Sequence, residues 1–176
     1  MGKHCRVLQV VGFKHAGKTT VMERLVQALS MKDMRVATLK HHGHGGELVP
    51  PEPQTDSERL KQAGAVSSAV EGEGMLQLSA KTNTWSLNQL LRLQARMEPD
   101  VVLVEGWKHE DYKKVVLLRG REDEELLAQV RNICCVLYWG DHPQTTLPSF
   151  SLDEDPDVYM RFIVSQVEDS YEFKFI

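Results

Sequence analysis

The residues Gly12-Phe13-Lys14-His15-Ala16-Gly17-Lys18-Thr19 satisfy the pattern G-x-x-x-x-G-K-[ST] at every fixed position. Each fixed residue has a mechanical reason. The glycines let the backbone wrap a phosphate so that successive N–H groups point inward, and a helix opening at Lys18 adds its positive end. Lys18 would then reach the β- and γ-phosphates, the Thr19 hydroxyl would ligate Mg²⁺, and Lys14, His15 and Ala16 would complete the cradle. A magnesium site also needs a carboxylate near the phosphates, and two residues compete for that place. Glu105 closes the apolar run Val101-Val102-Leu103-Val104, at the carboxyl edge of a strand, where α/β sheets bind ligands. Asp56 follows a stretch rich in His, Gly and Pro and reads at least as well as a helix N-cap. Glu105 is favoured, with Asp56 as the second candidate; Asp100, before the apolar run, should lie at the opposite edge.

His41, His42 and His44, with Cys134 and Cys135, invite a zinc reading. It is disfavoured, because adjacent strand residues point to opposite faces and zinc needs about four ligands from compatible directions. The cysteines are expected as small core residues. The histidines are expected in a ligand-facing loop or simply a solvated one. Beyond phosphate binding, no G-x-S-x-G, H-E-x-x-H or C-x-x-C motif is present, and neither an Asn-Lys-x-Asp tetrad nor a clear water-positioning Gln or arginine finger is recognisable.

The elements that must hold these residues can be read from periodicity. Residues 6–11 form a short β-branched run ending at Gly12, which predicts a buried strand and a turn. From Lys18 to Ser30 the apolar residues Val21, Met22, Leu25, Val26 and Leu29 fall at helical spacing. A second strand is expected over residues 35–40, then an irregular stretch through His44, Gly45, Gly46, Pro50, Pro51 and Pro53. A short helix capped by Thr55 or Asp56 should run to Gln62 and stop by Gly64. Residues 67–70 and 75–78 read as two strands compatible with a hairpin. A helix over residues 86–97 presents Leu87, Leu90, Leu91 and Leu93. Strands over residues 101–104, 115–118 and 133–137 are continuously apolar, as in a parallel sheet covered on both faces. Helices are expected over residues 122–129 and 156–167. The alternation predicts an α/β fold, a mainly parallel sheet flanked by helices with a small antiparallel excursion near residues 67–78.

Composition bounds what such a fold could do. The 176 residues, 41% hydrophobic and 26% charged, fit a single nucleotide-binding domain over residues 1–176 with a real core. A formal net charge of -4 gives no pull toward nucleic acid or a membrane surface. That total conceals a cancellation: residues 1–40 carry eight Lys/Arg against two Asp/Glu, and residues 141–176 carry two against eight. An anion site therefore belongs near the N-terminal end. Three cysteines, two of them adjacent, do not make a disulfide framework, and no apolar leader opens the chain, so a cytoplasmic protein is expected.

Several of these residues in order resemble one family, the molybdopterin-guanine dinucleotide biosynthesis protein B (MobB) family. They are the phosphate loop through Thr20, Thr38-Leu39-Lys40-His41, Asp56-Ser57-x-Arg59 followed by Ala63-Gly64-Ala65, and Asp100-Val101-Val102-Leu103-Val104-Glu105-Gly106 with Trp107-Lys108. The resemblance covers about residues 5–120 and implies a P-loop NTPase-like fold, a homodimer, binding of GTP with Mg²⁺, and an accessory role in attaching GMP to molybdopterin. The transfer itself would belong to a MobA-type guanylyltransferase partner, leaving this chain at most weak GTPase activity. By the same resemblance Gly12, Gly17, Lys18, Thr19 and Thr20 would hold phosphate and metal, and Lys40, His41, Asp56, Arg59 and Glu105 would surround the ligand. The alternative is a P-loop small-molecule kinase with Asp56 or Glu105 as base and a lid arginine, for which Arg119 and Arg121 are the available residues. A third reading is an interaction domain whose loop holds only an anion.

Overall fold

The computed structural model describes residues 4–43, 55–168 and 172–174. The loop residues His44, Gly45, Gly46, Pro50, Pro51 and Pro53 lie outside the described residues. The chain divides into two compact units, Met1–Gly43 with Leu87–Ile176, and His44–Ser86.

The first unit is built on β1 (His4–Gly12), β2 (Val36–Lys40), β5 (Val101–Glu105), β6 (Lys114–Leu118), β7 (Ile133–Tyr138), β8 (Ser149–Ser151) and β9 (Glu172–Lys174), the labels β3 and β4 belonging to the second unit (Ser67–Gly72 and Met75–Ala80). The strand order is β2-β5-β1-β6-β7-β8, with every neighbour parallel, and β9 pairs antiparallel with the start of β1. All five residues of β5 and of β6 are buried, which is why these segments read as unbroken apolar runs.

Helices cover both faces. On one, α1 (Lys18–Ser30) and α5 (Pro156–Glu168) set Val21, Leu25, Leu29, Tyr159 and Ile163 against Leu8, Val10, Leu103 and Leu117. On the other, Leu87 and Leu91 of α3 (Leu87–Gln94) meet Val7, Val102 and Val104, while Leu126 of α4 (Glu125–Gln129) meets Val11, Val116 and Val136. Alternate residues of β1 thus serve opposite layers.

Three expectations change in detail. The helix expected over residues 86–97 ends at Gln94 and tightens into a 3-10 turn, Ala95–Met97, leaving Leu93 42% exposed. The helix expected from Glu122 begins as a 3-10 turn, Arg121–Asp123, before α4. Cys134 and Cys135 do not face opposite ways. The β6–β7 register jumps from Lys114↔Ile133 to Val115↔Cys135, so Cys134 is an extra residue and both cysteines pack on the α1/α5 core. A bulge breaks the period-2 alternation on which the expectation rested.

The second unit holds α2 (Asp56–Gln62) and the β3–β4 hairpin. Thr55, not Asp56, caps α2, accepting from Glu58 N. The hairpin turns on Glu73 and Gly74, at φ 51° and 81°, the left-handed pair that a two-residue turn requires.

Candidate phosphate and cation site

The loop after β1 closes around its own backbone. Gly17, at φ 92°, is the N-cap of α1 and offers no side-chain cap, and no acidic residue stands in the first turn. The amides that open α1 are left to an outside acceptor, and the dipole favours an anion there. A Cβ on Gly12 would lie 2.7 Å from Leu117 O, so only glycine lets β1 turn so close to β6. Lys14 and His15 are exposed and Ala16 is buried; His15 itself takes a left-handed φ of 65°. Lys18 Nζ donates to Phe13 O at 2.7 Å across the loop. Burial lowers the Lys18 ammonium below its ordinary pKa, Glu105 pulls it back up, and Lys40 and Arg119 push it down.

The candidate cation side lies at the ends of three neighbouring strands. Glu105 pairs with Val10 of β1 and with Lys40 of β2. Glu105 is 8% exposed, and its carboxylate accepts from Thr19 Oγ1 at 3.4 Å. Lys40 Nζ is 3.1 Å from Glu105 Oε2 and donates to Thr19 Oγ1 at 3.3 Å. Thr20 is exposed on the next position of α1. Asp100 lies at the far end of β5 and accepts from Arg35 N, as expected for the opposite edge. A cavity of about 510 Å³ opens beside this cluster, between α1 and β2, with Thr19, Met22, Val26, Thr38, Lys40 and Glu105 among its walls.

The strand ends around the site are braced. His41 N donates to Glu105 O, and the His41 ring lies 4.7 Å from the Trp107 ring. Gln9, buried on β1, donates to both Gly106 O and Trp107 O. A Cβ on Gly106, at φ 98°, would come within 2.8 Å of His41 Cβ. On the other flank Phe13 sits under two cations, Lys108 Nζ at 5.5 Å and Arg119 Cζ at 5.6 Å from its ring centre. Arg119 is held by Asp123, whose two carboxylate oxygens accept from its Nε and guanidinium NH2; these bonds hold the Asp123 carboxyl below its usual pKa.

Of the residues singled out by sequence, the structure brings Gly12, Gly17, Lys18, Thr19, Lys40, His41 and Glu105 to one end of the sheet. Asp56 and Arg59 lie in the second unit, where they pair with each other at 3.3 Å. Sequence reasoning missed Trp139, whose Nε1 donates to Ala16 O at 3.2 Å and whose ring would lie 3.7 Å from a Cβ on Gly17. Its signal was its position, one residue past β7, an apolar strand of the loop's own sheet.

The model of a known family, molybdopterin guanine dinucleotide synthesis protein B, matches residues 7–139. The chain belongs to the MobB family. A MobB relative from Bacillus subtilis (strain 168), named a probable molybdopterin-guanine dinucleotide biosynthesis adapter protein, is 43% identical over 165 residues, 92% of this chain and 93% of its own. The adapter protein of that name from Escherichia coli (strain K12) is 33% identical over 127 residues, 69% of this chain and 71% of its own. Among solved structures, the B. subtilis MobB superposes with a TM-score of 0.79 at 37% identity, covering 94% of this chain and 99% of that one. A MobB homologue from Bacillus stearothermophilus gives 0.76 at 40% identity, covering 92% and 97%. These neighbours agree with the mainly parallel, helix-flanked sheet and its small antiparallel hairpin.

Proposed function

We propose that this MobB-family chain is a GTP-binding accessory protein, an adapter that assists attachment of GMP to molybdopterin while a MobA-type guanylyltransferase performs the transfer. The observation that carries the reading is the convergence of the uncapped α1 N-terminus, Lys18 and the Thr19–Glu105 pair at one sheet edge. The donor set fits a magnesium nucleotide, since a hydroxyl and a carboxylate supply hard oxygen ligands and the open amides suit phosphate oxygens. Bound there, Mg²⁺ would neutralise phosphate charge. Gly12, Lys14, His15, Ala16 and Gly17 would shape the cradle, Lys18 would leave Phe13 O for the phosphates, and Thr19, Thr20 and Glu105 would line the metal side. Lys40 and His41 border the cavity end of the site; roles for Asp56 and Arg59 stay with the family resemblance alone.

The kinase alternative gains no support. Arg119 is fixed to Asp123, and Arg121 stands beside Asp141, so neither is carried on a free lid. Weak intrinsic hydrolysis at most is expected.

The homodimer belongs to the same proposal. Val70, Met75, Leu76 and Leu78 of the hairpin are all exposed, an apolar surface that the packing of α2 on β3 leaves uncovered and that a second copy would cover. Three free cysteines support a cytoplasmic setting, and no helix among the described residues is long and apolar enough to cross a membrane. Reconstituted guanylylation of molybdopterin tests the role: the wild type should raise the partner's yield and Lys18→Ala should not. Equal stimulation by both, or rapid phosphoryl transfer to a small acceptor by this chain alone, would overturn it.

A further inference from the structure

The ammonium of Lys40 stands 3.1 Å from Glu105 Oε2 and 3.3 Å from Thr19 Oγ1, and those two oxygens are 3.4 Å from each other. The three atoms close a triangle whose positive corner is a side chain. The ladder puts it there: Lys40 and Glu105 are register partners at the ends of β2 and β5.

The two partners differ in their freedom. The Glu105 side chain is 10% exposed, that of Lys40 61%. A carboxylate drawn out of water needs a counter-charge at all times. A largely solvated lysine on a four-carbon stem can leave at little cost. Lys18 Nζ donates to Phe13 O and acts on Glu105 only through its charge, so the direct contact is left to Lys40.

We propose that Lys40 is a tethered cation, holding the Glu105 carboxylate and the Thr19 hydroxyl in ligating positions until a divalent ion displaces it. This inference rests on the magnesium reading of the site. No covalent bond changes in the exchange. The ammonium leaves protonated for the cavity that Lys40 also lines, and Glu105 passes from one positive partner to another. Two consequences follow from the competition. Divalent ions bind more weakly than the two oxygens alone would allow, and the released ammonium becomes available to an anionic group in the cavity between α1 and β2.

Mn²⁺ titration followed by electron paramagnetic resonance, on protein saturated with guanosine diphosphate, tests this with the wild type, Lys40→Met, Lys40→Gln and Glu105→Gln. Gln at 40 keeps a donor for the two oxygens, so it guards against a fold defect in the Met variant. Removing the competitor should tighten Mn²⁺ binding about three- to fivefold in both Lys40 variants, the size of one exposed ion pair, and Glu105→Gln should weaken it. Unchanged or weaker Mn²⁺ affinity in both Lys40 variants, with the loss in Glu105→Gln intact, overturns the tethered-cation role and leaves the metal site standing. Equal Mn²⁺ affinity in Glu105→Gln and wild type removes the metal site itself, and this inference with it.

Discussion

Trp139 buttresses the phosphate loop from beneath, and its replacement separates pre-organisation of the loop from contact with the ligand. Its indole N–H donates to Ala16 O at 3.2 Å, and its own backbone is tied to Leu118 O at 3.1 Å. Trp139→Phe keeps a ring under Gly17 and deletes that hydrogen bond, worth about 0.5–1.5 kcal/mol net. If the whole loss falls on the loop's ligand-ready shape, affinity for magnesium GTP drops about 2- to 12-fold. Trp139→Ala also removes the ring; with the indole 38% exposed, the lost burial adds about 1–2 kcal/mol, for a total loss of tens-fold or more. Neither variant replaces a residue assigned to phosphate or metal. Isothermal titration calorimetry reads the affinities, and thermal unfolding of the nucleotide-free proteins separates a binding defect from a general loss of fold. Affinities within twofold of wild type in both variants, with the fold intact, would refute the argument that this indole shapes the loop.

Gly106→Ala should destabilise by about 2–4 kcal/mol in urea denaturation, from a left-handed φ of 98° together with a 2.8 Å approach to His41 Cβ, adding strain to overpacking. Burial pushes the Cys5 thiol up to about 11, so at pH 8 only about a thousandth is thiolate; iodoacetamide labelling at Cys5, read by peptide mass spectrometry separately from Cys134 and Cys135, should stay slow there and speed up as pH rises or on unfolding. Replacing Leu76 and Leu78, 52% and 45% exposed on the hairpin, with Ser should shift sedimentation velocity toward monomer, whereas an unchanged dimer would place the interface elsewhere.

How much of this was legible in the sequence follows the range of the forces involved. The phosphate loop, α1 and the three apolar strands are local patterns, and they stand where periodicity puts them. Glu105 was legible because a strand's carboxyl end is a place as well as a residue. The bulge that turns Cys134 and Cys135 to one face was not, since it depends on the β6–β7 register, a property of two segments at once. The short strands β8 and β9 were missed for the same reason: three residues such as Ser149-Phe150-Ser151 carry no period of their own. The Lys40–Thr19–Glu105 triangle joins residues far apart in the chain, and its members were named separately before their contact was known.

We propose that Thr19 and Glu105 make one metal site with the phosphate loop. GTP titrations of wild type and Glu105→Gln, each with and without Mg²⁺, test it most directly. Mg²⁺ should tighten GTP binding at least tenfold in the wild type, about 1.4 kcal/mol, and hardly at all in the variant, while metal-free affinities stay similar. Equal Mg²⁺ enhancement in both proteins, or no GTP binding by the wild type, would contradict it.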